Sequence, residues 1–593
     1  MGTTGWRAAV ARRADAIAAG LIVAGALALL VATLGDCGMA WDEGYVVERV
    51  DRLREWFARV AGDDSAAGRA WTPFLSWLEG RTAYLQKAGS TAGSPWSRES
   101  LRYYWQFSRE EPNGHPPGYA LLSLAGWIAT HRFLPPLQAY RSGPSALFAL
   151  TLGAVYLTMA RLYGRAAAAM AALGLLSMPH VFGHAHLATT DTPTLCFWIL
   201  GVMAFLGAVE AKSGDDGRSR GRAWTLAFGL AWGCAMATKF TGWFLPAPLI
   251  AWAIFYRDAR AARVLAIGGA VAATVVYACN PTWWLEPVEG GRAFLRSNLT
   301  RRQLLPIPTL FFGRVYLFSL PWYNTLAWTA IGVPPATLAL SLVGIGRVAV
   351  GRFRDRAGTL LLGCWAFFMV LRALPNAPGH DAERLFLPAF AFLACLSGIG
   401  VAAIGAGFGR HAGGRLARIS GVLALSVALI GGSWSTWRYH PLQLSYYNAL
   451  IGGLSGAARA GLEPTYYWDA LTPDVRDWIN AHTEPDRAVA FALPTVSFEY
   501  LHRWGLLRPS PLATPRTNPR WFVVMNRPGH LRYPAHTVGQ YLLDHAKPAF
   551  VKTLDVAPDV PLIAIFSGVD ALEADRIVTR LRSQQASPET PGR

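Results

Sequence analysis

The stretch AIAAGLIVAGALALLVATLGDCGMAWDEGY (Ala16–Tyr45) opens on a long uncharged run and closes on an acidic pair, Asp42–Glu43. A helix of about 20 apolar residues crosses a bilayer core, so Ala16–Leu34 predicts a membrane span. Arg7, Arg12 and Arg13 precede it, and such residues mark the cytoplasmic end of a span. The run is long for a signal peptide, and Asp36 stands where a lipoprotein signal before Cys37 needs a small residue. An uncleaved anchor follows, with the acidic pair just beyond its outer end.

The same pattern recurs. Ten further spans are predicted near Pro144–Leu162, Ala166–Phe182, Pro193–Val209, Ala223–Thr238, Gly242–Tyr256, Val264–Asn280, Thr325–Ile345, Thr359–Leu374, Phe386–Gly405 and Ile419–Trp434. That makes about eleven. Of the 593 residues 52% are hydrophobic and 16% charged, against roughly 25% charged in soluble chains. A disordered chain, a coiled coil and a disulfide mini-protein are excluded. The net charge of +18 would suit nucleic acid if it were spread. Instead it gathers in short connections: Arg161/Arg165, Lys212 to Arg222, Arg257 to Arg263, Arg347 to Arg356 and Arg410 to Arg418. Such loops face the cytoplasm, so the surplus sets orientation and no nucleic-acid partner is expected. The alternate connections mix signs or are nearly neutral, and face outward.

Pro116–Phe133 is apolar but short and begins with two prolines. It predicts an interfacial helix on the outer face. Val46–Val60 alternates apolar residues three and four apart with Arg and Glu, a second surface helix. From His440 the composition turns soluble. β-rich runs at Ala488–Ala492, Trp521–Met525, Phe550–Leu554 and Leu562–Phe566, with helical runs at Pro473–Ala481, Val538–Ala546 and Val569–Arg582, predict a small α/β domain. The expected organisation is a transmembrane catalytic domain over 1–439, with its first outer loop at 36–143. An extracytoplasmic α/β domain covers 440–583, and a disordered tail 584–593. The six cysteines read as packing residues.

Ionisable residues at a membrane face are costly unless they remain wet or do work. Asp42–Glu43 is either a solvated pair or holds a carboxylate able to take a proton from a hydroxyl. His115, in NGHPPGY, precedes the two prolines, with Glu110 and Glu111 upstream. Asp191, in TTDTP, stands at an outer span end, with Thr190 or itself as the helix cap. His184 and His186 are spaced two apart, which points them away from each other on a helix. Lys239 lies in a turn between two spans. It can neutralise a phosphate or snorkel to headgroups. His380, Glu383 and Arg384 sit together before a span, where a guanidinium suits phosphate oxygens. Trp283, Trp284, Arg301, Arg302, Trp322 and Tyr323 fall in one outer loop, as an aromatic belt or a sugar-facing surface.

These motifs also stand in a particular order: an acidic pair after the first span, a His-Pro-Pro helix start, an Asp-x-Pro, a Thr-Lys-x-x-Gly turn and a late His…Arg before a span. In that order they resemble the GT-C membrane glycosyltransferases, specifically family 39, the group of protein O-mannosyltransferases and lipid A aminoarabinose transferases. The resemblance spans about Ala16–Trp434. SYYNALIGGLSGAARAGLEPTYYWDAL (Ser445–Leu471) resembles the stretch that follows the membrane domain in many bacterial members. The resemblance implies an inverting transfer of sugar from a polyprenyl-phosphate donor to a hydroxyl or phosphate acceptor at the outer face of a bacterial-type plasma membrane. Membrane lipids and an unknown acceptor are the other partners. It makes Asp42 the base or acceptor-orienting residue, Glu43 its partner and Asp191 the second carboxylate. In some members the two carboxylates flank a divalent metal ion, so Asp42 and Asp191 become candidate ligands. Lys239, Arg384 and His380 become candidates for the donor phosphate, and His115 and Tyr45 for positioning substrate. The chain has no β-trefoil of the kind that eukaryotic protein mannosyltransferases carry. Two rival readings stay open. One is a secondary transporter, which favours inverted repeats and midplane charges; the other is a non-catalytic polysaccharide-assembly protein.

Overall fold

The computed structural model describes residues 2–63, 65, 91–105, 115–211, 215–299, 307–493, 495–512, 518–533 and 537–586. Glu110, Glu111, Lys212, Arg301, Arg302, most of the Asp63–Ser100 stretch and the end of the tail lie outside them.

Helices dominate. Among the described residues seven are long and apolar enough to cross a membrane: Val10–Thr33, Pro136–Tyr163, Asp191–Val209, Ala259–Ala278, Arg356–Ala373, Pro388–Gly407 and Gly414–Arg438. The pair Arg165–Leu176 and Pro179–Ala185 reaches the same length and apolarity only when joined, across a bend of 65°. This is an integral membrane protein. The expected span Thr325–Ile345 is instead two helices, Asn324–Gly332 and Pro335–Val350. Pro334 cannot continue the hydrogen-bond ladder. Asn448 takes up the freed carbonyls, its Nδ2 donating to Ala330 and Val333 at 2.7 Å each and its backbone N–H to Ile331 at 2.8 Å. The expected span at Gly242–Tyr256 starts as a 3-10 turn, Phe240–Phe244, before the helix Pro246–Tyr256.

The two expected surface helices differ. Gly118–Thr130 is a 13-residue apolar helix, about 20 Å long and so too short to span. It packs on Pro136–Tyr163 where Gly126 and Gly143 let the backbones meet. Glu43–Val60 is a correction. Its apolar side is buried, and so are Glu48, Arg52, Glu55 and Arg59 on the other. Burial is tolerated because these groups are partnered: Arg52 pairs with Glu48 at 2.6 Å, and Tyr104 donates to Glu55 at 2.5 Å.

The C-terminal region forms a five-stranded sheet in the order β4-β3-β5-β7-β6. These are β3 (Val489–Phe491), β4 (Pro511–Leu512), β5 (Trp521–Met525), β6 (Phe550–Lys552) and β7 (Ile563–Ser567). β3 runs parallel to β4 and β5, while β7 is antiparallel to β5 and β6. A hairpin of β1 (Thr309–Phe311) and β2 (Arg314–Tyr316) stands apart from it. The two-residue edge strand β4 and the helix Val496–Arg503 were not expected from the sequence.

The α/β region grips the acidic loop. Ser497, in the first turn of the helix Val496–Arg503, donates to Ala40 at 2.6 Å and accepts from Gly44 N at 3.0 Å. Trp41 N donates to the Tyr467 carbonyl at 3.1 Å. A Cβ on Gly44 would drive into the Ser497 backbone, so only glycine permits this approach.

Candidate active site

Four helix ends meet at one face of the bundle: the C-terminal ends of Gly2–Thr33 and Asp215–Thr238, and the N-terminal ends of Asp191–Val209 and Pro388–Arg438. They bring Asp42, Asp191, Lys239 and Arg384 into one cluster.

Arg384 is its centre. Its Nε donates to Asp191 at 2.9 Å, its Nη1 to Asp381 at 2.6 Å, and its Nη2 pairs with Asp42. Three nitrogens of one rigid fork thus engage three carboxylates. The guanidinium lies 4.1 Å over the Tyr467 ring, and the Tyr467 hydroxyl donates to Asp42 at 2.9 Å. Burial pushes the Tyr467 phenol well above its ordinary pKa, so it stays a donor. Burial disfavours the charge on Arg384, but Asp191 and Asp42 more than compensate and hold its pKa well above the usual value.

Asp191 is buried. Its other oxygen accepts from Lys239 Nζ at 2.5 Å. Lys239 is therefore engaged within the cluster and not presented openly at a headgroup level. Thr190 precedes the helix but makes no side-chain cap, and Asp191 is spent on the two cations. Asp42 is the open member: its side chain is 35% exposed, against 9% for Arg384.

Glu43 lies away from this opening. It is fully buried, its carboxylate bridged by Arg141 at 2.7 and 2.8 Å and capped by the backbone N–H groups of Ala40 and Ala188 at 2.9 Å each. Arg141 also donates to the carbonyls of Leu34, Cys37 and Gly38. Glu43 with Arg141 therefore fixes the loop that carries Asp42; every oxygen it could offer a substrate is used. Tyr45 packs half-buried against the apolar core in the same first turn.

His115 is half-buried just before the Gly118–Thr130 helix, whose Gly118 abuts Ala237, next to the Lys239 turn. His380 is half-buried beside Asp381 and influences its charge. Its neighbour Glu383 is buried against His180 at 2.5 Å. His184 and His186 have separate partners, Tyr466 at 3.3 Å and Thr33 at 2.7 Å, and do not converge.

The cluster does not fit a divalent metal between Asp42 and Asp191. The Arg384 guanidinium already bridges these carboxylates, and Lys239 holds the remaining Asp191 oxygen. Among the described residues no three His, Cys, Asp or Glu side chains are grouped as ligands.

Asp381, Tyr467 and Arg141 were not singled out from the sequence. Asp381 and Tyr467 sit inside the quoted motifs. Arg141 carried a different signal, a charge early in an apolar helix.

Residues 115–284 match the family model of the dolichyl-phosphate-mannose-protein mannosyltransferases. The chain is similar to ArnT from Cupriavidus metallidurans in the apo state, with TM-score 0.51 and 15% identity over 96% of this chain and 99% of that one. The fold is that of the GT-C membrane glycosyltransferases, shared with ArnT over nearly the whole chain. ArnT bound to undecaprenyl phosphate gives 0.48 and 14%, covering 96% of this chain and 98% of that one. The oligosaccharyltransferase AglB from Archaeoglobus fulgidus, with an inhibitory peptide and a dolichol-phosphate, gives 0.49 and 12%, covering 88% and 70%. No curated protein matches the sequence. The family match covers His115, Asp191 and Lys239, while Asp42 and Arg384 join them only through the fold.

Proposed function

We propose that the protein moves a sugar from a polyprenyl-phosphate donor to a hydroxyl or phosphate acceptor at the outer face of the plasma membrane, with inversion at the anomeric carbon. The observation that carries this reading is the pairing of one open carboxylate, Asp42, with one guanidinium, Arg384, anchored from behind by buried acids. The family match to transferases of dolichyl-phosphate mannose supports the donor class.

The donor's tail lies in lipid and its phosphate meets Arg384. An acceptor oxygen beside Asp42 attacks the anomeric carbon as the carbon–oxygen bond to phosphate breaks. A hydroxyl acceptor's proton passes to Asp42, and the electron pair leaves with the polyprenyl phosphate. Arg384 stabilises that departing charge at short range in a site of low dielectric. Asp191 and Lys239 keep the guanidinium aimed. The orientation proposed rests on the clustering of Arg in short connections, which reads as cytoplasmic; the exposed pairs Arg161–Glu210, Arg165–Asp15 and Arg356–Asp258 support it.

The test is titration of the purified, detergent-solubilised protein with polyprenyl phosphate. Wild type is expected to bind it, and a folded Arg384→Met variant to lose about tenfold in affinity or more. Equal binding by the two proteins would remove Arg384 from the donor site.

A further inference from the structure

Arg527 lies two residues past β5 in the α/β region, yet its side chain is only 1% exposed and its ionic partners lie elsewhere. Its Nη2 is 2.9 Å from Asp381 Oδ1, and its Nε is 3.5 Å from Glu463. Its Nη1 donates to the Tyr466 carbonyl. Its guanidinium lies 4.1 Å over the Trp468 ring, which stands 4.5 Å from Trp41, the residue before Asp42. Glu463 Oε1 is held in turn by the backbone N–H groups of Leu310 and Gly529 at 3.2 and 3.1 Å.

Charges therefore alternate along one line that runs inward from the open Asp42 through the buried Arg384, Asp381, Arg527 and Glu463. Asp381 is the hinge of it. One oxygen faces Arg384 and the other Arg527. Its backbone is left-handed, φ +60°, and so is that of Ala382 at +47°. A non-glycine residue held there costs on the order of 1 kcal/mol or more, so the surrounding contacts must impose it. Trp468, under Arg527, has φ +61°. Three strained residues thus surround the link between the α/β region and Arg384.

We propose that Arg527 is a positioning residue for sugar transfer: by fixing Asp381 it sets the aim of the Arg384 guanidinium, so that the C-terminal region completes the active site. Without Arg527, Asp381 has Arg384 as its remaining strong partner and draws the fork toward itself, away from Asp42 and Asp191. The donor phosphate is then still attracted but is held off line. Misplacement of about 1 Å costs roughly a hundredfold in rate, while attraction to an intact guanidinium is little changed.

This rests on the transfer reading above, and wild-type turnover of a labelled polyprenyl-phosphate sugar is the control that separates the two. If wild type does not turn over the donor, the function fails, and with it the role given to Arg527. If it does, Arg527 is tested alone. Arg527→Met is expected to lower kcat about 10- to 100-fold, with KM for the donor within about threefold. Because it strands Asp381 it also lowers the melting temperature, so kcat is read well below the variant's own unfolding transition. Arg527→Lys keeps the charge without the fork, and is expected to lose severalfold in kcat. It decides the matter should the Met variant not fold. The double variant Arg527→Met/Asp381→Asn is expected to lose no more than the worse single variant, as for residues acting as a unit. Wild-type kcat in folded Arg527→Lys, or losses in the double variant that multiply, would overturn the proposal.

Discussion

The two ends of the helical bundle carry similar side chains under opposite conditions. At the end that carries the Asp42–Arg384 cluster, Arg141, Arg384, Arg527 and Lys239 are buried, and each faces a carboxylate. At the other end, Arg161 pairs with Glu210 at 48% and 40% exposure. Arg165 pairs with Asp15 and Arg356 with Asp258, again with the arginines in the open. Exposed pairs contribute little and are screened by salt. Buried ones are costly to assemble and more costly to break, because removing one partner strands the other. Exposed, screened pairs thus lie at one end, and buried, balanced charges lie at the end where position matters.

Substitutions separate the two ends. Asp42→Asn should lower transfer about a thousandfold, the scale of a lost general base, while the protein inserts and melts normally; activity near wild type would empty the site of its central acid. Glu43→Gln strands part of the Arg141 charge and should cost about 3–5 kcal/mol, read as a large drop in melting temperature. A small shift would mean that the loop is held by other contacts.

The buried end should also respond to pH. Burial pushes the Glu463 carboxyl up to about 7, against the opposing charge of Arg527, and Asp469 up to about 6. The folded state then binds more protons than the unfolded state between roughly pH 4 and these values. Stability is highest at the acidic side of that window and falls as pH rises toward 7. The Glu463 share is on the order of 3 kcal/mol. Glu463→Gln should flatten the decline in thermal stability between about pH 5 and 7; an unchanged slope would assign it to other groups. Smallest of all, Arg161→Ala should alter stability by less than about 1 kcal/mol, and 1 M salt should reproduce its effect in wild type.

Much of this architecture was legible. The first span and the β-runs at Trp521–Met525 and Phe550 are local patterns, and the structure keeps them. Of the basic connections, residues 218–222 and 410–418 are helical instead, within Asp215–Thr238 and Pro388–Arg438. Asp42, Asp191, Lys239 and Arg384 were visible as charges at span ends. Their mutual engagement was not, because the partners lie 48, 193 and 342 residues apart. Glu43 read as catalytic beside Asp42, since sequence shows adjacency but not the Arg141 side chain 98 residues away that absorbs it. The break at Pro334 was readable as a proline, but its repair by Asn448 was not. Nothing local in β5 announces that Arg527, just beyond it, reaches Asp381.

The central claim is that the Asp42–Arg384 pair serves sugar transfer from a lipid-phosphate donor. The most direct measurement supplies purified protein in proteoliposomes with a polyprenyl phosphate carrying a labelled sugar, together with extracted envelope acceptors. The account predicts that label moves to an acceptor while free polyprenyl phosphate accumulates in equal amount. Donor that binds and returns intact, with the label still on its phosphate, would contradict it.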